Sequence, residues 1–512
     1  MVYHCLRRPG AKPYEGEETR LAWEDHLIAD VCKYLKKIVS LVNPTEQVFV
    51  GVDGVVPMAK MRQQRLRRFK SHWTAAEEKR IGKSEGGPRW DTNAITPGTA
   101  FMERLGNALK GCGSGSGGGA KGVKWLISTA DEPGEGEHKA MIRLRSVVQE
   151  YKSTSKKQSH VVYGLDADLI VLSLLQEVDE LWLFREAVEC GEVQYNDSNE
   201  EEYAYFSIHK LRELLTEGKD KGEGYLLDYC MAMSFLGNDF LPHGMSLKLK
   251  DGGHDILLEM LKQVRKNAGP LIYNQGVDGK SKWNKEALKA CIEWLSEKEE
   301  EWIHRHCQMK IGSRFQHARG ATPLEQAIDE WNKTPLRISE EMALVRSIQK
   351  DENQKTRVEL LDTWRDVYNE RWLGSTDVDH ICTEYIRGLD WILQYYTGAH
   401  VNTEWCFPWF LPPLWRDLKD VLDKVGSPLP IAPKPTDIQI KPQEQLALVM
   451  PLASWWLIRD PALKGLPKLA PQLWPSSFEL FTAGHTQIWE CEAQIPLFMP
   501  KRLRYLIDQP RL

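Results

Sequence analysis

The sequence predicts an α/β protein built on a mostly parallel sheet flanked by helices. Three observations predict it. Short β-branched runs recur along the first half of the chain, acidic residues stand at their C-terminal ends, and segments of helical periodicity separate them. Leu21 to Val42 has apolar residues at three- and four-residue steps and is expected as a helix. Gln47 to Val52 reads as a buried strand ending at Asp53. Lys124 to Ser128 and His160 to Gly164 repeat that form, each followed by acids, and Leu181 to Arg185 is a further strand. In such sheets, sites form outside the carboxyl ends of the strands.

Beyond these strands the pattern changes. Gly111 to Gly119 is expected as a flexible loop, since its glycines lack the flanks of a phosphate-binding turn. Lys280 to Glu370 is charged and helical in pattern, while Tyr385 to Leu418 and Pro442 to Pro500 suit irregular packing against another domain. The expected division is a domain over 1–265, a helical connection over 266–370 and a second segment over 371–512 packing on the first.

With 512 residues, the chain can bury at least one large core. The net charge of −5 excludes a polycation, so any nucleic-acid partner needs a local basic patch. Ten scattered cysteines without a C-x-x-C pair indicate neither zinc nor a disulfide framework, and reduced thiols fit an intracellular protein. No apolar stretch reaches membrane-spanning length. Of the nineteen tryptophans, most are expected in the core and a few as platforms for stacking bases.

Four segments concentrate carboxylates where they need compensation. They are Asp53, Glu135 with Glu137 on a glycine-rich turn, Asp166 with Asp168 in an apolar run, and Asp239 between large apolar groups. Singly, each has a structural reading: Asp53 a turn, Glu135 and Glu137 a helix N-terminal charge effect, Asp166 a cap. Together they favour a site for Mg²⁺ or Mn²⁺, hard ions that take oxygen ligands. Two such ions can drive phosphodiester hydrolysis. Close behind Asp53, the run Lys60 to Lys70 places Lys60, Gln64, Arg67 and Arg68 on one helical face. An acid-free face beside a carboxylate suits a terminal phosphate better than plain solvation.

These segments resemble the signature blocks of the Xrn family of 5′→3′ exoribonucleases. V-D-G-V-x-P-x-A-K-M-x-Q-Q-R-x-R-R-F matches from Val52 to Phe69, and P-G-E-G-E-H-K from Pro133 to Lys139. Y-G-L-D-A-D-L-I matches from Tyr163 to Ile170, and G-N-D-F-L-P-H from Gly237 to His243. Looser matches follow at Gly253 to Leu258, Gly388 to Tyr396, Trp405 to Pro408, Gln445 to Pro451 and Trp489 to Glu490. The resemblance implies a PIN/flap-nuclease-like α/β domain embraced by a mainly helical and irregular second conserved segment.

It also implies stepwise hydrolysis of 5′-monophosphorylated RNA to nucleoside 5′-monophosphates at two Mg²⁺ or Mn²⁺ ions. The metal-site and catalytic residues would be Asp53, Glu135, Glu137, Asp166, Asp168 and Asp239. Lys60, Gln64, Arg67 and Arg68 would bind the 5′-phosphate, and His4 and Trp405 would stack on bases. The expected partner is single-stranded RNA, handled by a monomer away from any membrane, in the cytoplasm rather than the nucleus. The family's opening strand and its D-x-N aspartate would precede Met1, so the chain is expected as an N-terminally truncated member with a weakened metal site. The alternatives are an RNA-end-binding protein with impaired catalysis and a flap or DNA nuclease on the same fold.

Overall fold

The computed structural model describes residues 1–509 apart from 84–86, 115–121, 152–156, 165–167, 190–191, 199, 218–223, 274–280, 375–376, 425–428 and 436–438. A short helix, α1 (Val2–Arg7), precedes the long α2 (Arg20–Val42). Trp23, Leu27, Val31, Tyr34, Leu35 and Ile38 of α2 are buried on one face, as the periodicity predicts. Its end falls at Asn43, whose φ of 50° is a left-handed cap that asparagine tolerates.

Next come β1 (Gln47–Gly51), α3 (Met58–Arg80), α4 (Ala100–Ser114), β2 (Lys124–Ser128) and α5 (Gly136–Tyr151). Strands β1 and β2 pair in parallel from Gln47 with Lys124 to Gly51 with Ser128. Their carboxyl ends therefore open on the same edge. β3 (Ser159–Tyr163), α6 (Asp168–Leu174) and β4 (Glu180–Glu186) follow, and β3 pairs in parallel with β4. A small hairpin of β5 (Val188–Glu189) and β6 (Glu192–Val193) leads to β7 (Tyr203–Ser207), which lies antiparallel to β4. The expected parallel pairing is present, distributed over two small sheets, β1–β2 and β3–β4–β7. β1 is half-buried along its length rather than fully buried.

The glycine-rich stretch departs from expectation. α4 continues through Gly111 and Gly113 to Ser114, because Gly113 lets the helix lie directly on Trp125, where a Cβ would sit 2.8 Å from that side chain. Residues 115–119 of the predicted loop lie outside the described residues.

The second half is more regular than predicted. A twenty-residue helix, Val378–Thr397, runs through the first segment expected to be irregular. It buries Ile381, Tyr385, Leu389, Ile392 and Tyr396, a three- and four-residue recurrence that its aromatic composition masks. Within the predicted helical region, Val345–Lys350 and Thr356–Leu360 form an antiparallel hairpin, beside the helix Glu299–Ser313.

α3 joins the two halves. Arg65 donates from Nη1 to the Leu448 carbonyl at 2.8 Å, and Arg62 to the carbonyls of Pro408 and Trp409 at 3.1 Å each. A second clasp is a buried ion cluster. Glu341 accepts from Lys310 at 2.7 Å, from His306 at 3.2 Å and from the Gly484 amide at 2.6 Å. Lys248, from the first half, donates to the Gly484 carbonyl and lies 3.4 Å from His306 Nδ1. No helix among the described residues is long and apolar enough to cross a membrane.

Candidate active site

Glycines bring the end of β1 against the acidic turn that follows β2. Gly54 donates to the Gly134 carbonyl at 2.9 Å, and Gly134 donates back to Val55 at 2.7 Å. A Cβ on Gly54 would fall 1.7 Å from the Glu132 carbonyl oxygen, and one on Gly51 2.5 Å from that of Gly136. Only glycine permits this approach. Asp53 lies exposed at the junction and accepts the Gly136 amide at 2.7 Å, at the N-terminus of α5. There its charge also complements the helix dipole.

The turn delivers Glu135 into a cleft lined by Lys60, Glu137 and Asp168, with Phe240, Tyr395 and Tyr396 as an aromatic wall. Glu135 is 6% exposed. Its Oε2 lies 2.7 Å from Lys60 Nζ, and its Oε1 accepts the Tyr395 hydroxyl at 2.7 Å. The same ammonium donates to Asp239 Oδ2, while Gln63 donates to Asp239 Oδ1 at 3.3 Å. Burial opposes the charge on Lys60, but Glu135 and Asp239 outweigh it and hold the ammonium well above the usual lysine range.

The Tyr395 ring lies parallel to His138, with centroids 4.5 Å apart and planes 3° from parallel. Burial pushes His138 down to about 4, so its imidazole is neutral at physiological pH. The Tyr396 phenol is raised far above its ordinary value, chiefly by burial and then by Asp168, Asp239, Glu135 and Glu137. Four predicted carboxylates thus act on one point of the cleft.

The remaining predicted residues divide. Gln64 is buried with its Oε1 3.5 Å from Gln445 Nε2, and Arg68 donates to Asn93 at 2.8 Å. Arg67 is exposed. Asp166 lies outside the described residues. Two expectations are corrected. The His4 side chain is 8% exposed, stacks on Tyr34 at 4.4 Å and is 2.8 Å from Glu201, so its ring is covered by protein instead of facing a base. Trp405 is 7% exposed, packs on Trp391 at 5.5 Å and donates to Glu384 at 3.2 Å, which makes it a core residue. In both, the ring's apolar area is already removed from water, and a stacking platform would need it open.

Tyr395, Tyr396, His138 and Gln63 belong to the site although sequence reasoning assigned them no role. The signal was present, since each falls inside a block matched to the family. Among the described residues, no three histidine, cysteine or acidic side chains stand close enough to hold a metal ion as placed. The donor chemistry does fit a hard divalent cation. An ammonium already sits between Glu135 and Asp239, where two carboxylates converge, and Glu137 and Asp168 line the same cleft.

Comparison with known proteins gives the same direction. The family described as "XRN 5'-3' exonuclease N-terminus" matches residues 1–187, and "Xrn1 helical domain" matches residues 280–509. Human 5′-3′ exoribonuclease 1 is 28% identical, over 94% of this chain and 30% of that protein. The Drosophila melanogaster 5′-3′ exoribonuclease 2 homolog is 26% identical, over 98% of this chain and 64% of that protein. For 5′-3′ exoribonuclease 1 of Schizosaccharomyces pombe, identity is 25% over 94% of this chain and 44% of that protein. The chain spans less than two thirds of the length of each of these relatives. With the exonuclease N-terminus and the helical domain matched in order, and Glu135, Glu137, Asp168 and Asp239 of the signature blocks meeting at one cleft, the chain belongs to the Xrn family of 5′-3′ exonucleases.

Proposed function

We propose that the chain is a 5′→3′ exoribonuclease core that hydrolyses 5′-monophosphorylated single-stranded RNA stepwise to nucleoside 5′-monophosphates. The observation that carries this reading is the Lys60 ammonium between Glu135 and Asp239, at the root of the helix that presents Arg67. It joins the acidic cleft directly to the basic face.

Two Mg²⁺ or Mn²⁺ ions, when bound, supply an activated water and charge stabilisation of the leaving oxygen. Glu135, Glu137, Asp168 and Asp239 are the ligands we assign, joined by Asp53 and Asp166 on the strength of the family motifs. Arg67, with Arg68 deeper on α3, would fork onto the terminal phosphate, and Lys60 would add a point charge. Gln64 supports that face from its buried contact with Gln445. Contacts of this kind reach backbone and phosphate, not base edges, so degradation would be independent of sequence. We infer that the protein works as a cytoplasmic monomer; thiols that are free at every described cysteine fit a reducing intracellular compartment.

The test is digestion of a 5′-monophosphate RNA and its 5′-hydroxyl twin by this chain with Mg²⁺ or Mn²⁺. Mononucleotides from the phosphorylated substrate alone are expected. Protection of RNA ends with no release would replace the reading by an end-binding one, and equal cutting of a DNA twin by a DNA nuclease. Arg67→Ala is expected to lower the preference for 5′-phosphate by roughly tenfold, the loss of one charge-assisted contact. An unchanged preference would return Arg67 to ordinary solvated surface.

A further inference from the structure

We propose that Tyr395, from the helix Val378–Thr397, is a positioning residue for the metal site. By occupying Oε1 of Glu135, it leaves Oε2 as the oxygen that meets a cation in the cleft. The inference rests on the metal-dependent reading above.

Glu135 is buried, and its two oxygens are divided between two partners. Tyr395 takes Oε1 at 2.7 Å and Lys60 takes Oε2 at 2.7 Å. The phenol is pinned by packing. His138 stacks on it at 4.5 Å, Trp391 stacks at 4.9 Å with planes 17° apart, and Phe240 meets it edge-on at 5.4 Å. A glutamate side chain has three rotatable bonds, so without that hydroxyl the carboxylate can turn and offer both oxygens to the Lys60 ammonium. A divalent ion must then displace a better-held competitor. With the hydroxyl, Lys60 shares a single oxygen of Glu135, and the ion needs to win only that one. A partner that orients a metal-binding carboxylate typically governs affinity at this level. The second segment thereby contributes to the site through a motif, Gly388 to Tyr396, that otherwise has no assigned role.

The experiment is Mn²⁺ titration of the full chain by calorimetry, comparing wild type with Tyr395→Phe, Glu135→Gln and Lys60→Met. Phenylalanine keeps the ring and its aromatic contacts and removes only the hydroxyl. Tyr395→Phe is expected to weaken Mn²⁺ binding about tenfold or more, with cooperative unfolding retained. Lys60→Met is expected to bind Mn²⁺ at least as tightly as wild type, because the competing ammonium is gone. If Tyr395→Phe binds like wild type while Glu135→Gln loses affinity, the role of Tyr395 is overturned and the metal reading stands. Weaker binding by Lys60→Met would also overturn the shared-carboxylate geometry. Equal affinity of wild type and Glu135→Gln, or no binding by wild type, would overturn the metal reading and this proposal with it.

Discussion

Asp239→Ala is expected to lower mononucleotide release from 5′-phosphorylated RNA by on the order of 10³-fold, equivalent to ~4 kcal/mol of barrier. Asp239 enters the cleft from the far side of Lys60, on a loop whose tight turn needs Gly237, at φ 88° and with its Cβ position 2.7 Å from His243. Its carboxylate accepts from Lys60 and Gln63. Removing it leaves Glu135 to neutralise the ammonium alone and takes a ligand from one side of the proposed ion pair. RNA binding should persist, because Arg67 and Arg68 are untouched. Single-turnover digestion alongside equilibrium binding of a 5′-phosphate oligonucleotide separates the two effects. Cleavage at the wild-type rate would remove Asp239 from the machinery, and loss of binding in parallel with cleavage would make its role structural.

Glu341→Ala is expected to be the most destabilising of these substitutions, at ~3–5 kcal/mol, the cost of leaving a buried charge unpaired. Glu341 and Lys310 are both 0% exposed, and after the change the buried ammonium loses its counter-charge and keeps the neutral Thr482 carbonyl, at 3.1 Å. Burial pushes the Glu341 carboxyl up, but His306 and Lys310 outweigh it and hold it well below the usual range. Its contribution is therefore complete above the unfolded value of 4.5 and is lost as pH falls below it. His306 and His485 act in the same direction. Burial lowers them to about 4 and about 3, so the unfolded chain takes up their protons from 6.5 downward while the folded chain resists. Urea unfolding between pH 7 and 4 should show wild-type stability declining below 6.5 and more steeply below 4.5, with the Glu341 share absent from the variant. Equal midpoints for the two proteins at pH 7 would show the cluster to contribute nothing.

Much of the first half was legible from residues in order. The steps of Trp23, Leu27, Val31 and Ile38 define α2, and the runs around Phe49, Leu126 and Val162 define strands, because backbone periodicity and side-chain burial are set by neighbours a few positions away. The acids at the strand ends, and Lys60 behind Asp53, were visible for the same local reason. The helix Val378–Thr397 was not, since tyrosines and tryptophans on its buried face read equally well as irregular aromatic packing.

Tertiary structure decided which rings were covered and which carboxylates met. His4 and Trp405 carry surfaces that suit a base or a core alike, and what covers them, Tyr34 and Glu201 for the one and Trp391 and Glu384 for the other, is set by how separate elements pack. The meeting of Lys60, Glu135, Asp239 and Tyr395 likewise joins four separated segments. Residue order alone was enough for the chemistry available, the four strands β1 to β4, the glycines of the acidic turn and the family. Only the fold could assign each oxygen of Glu135 its partner, because that depends on packing between residues 260 positions apart.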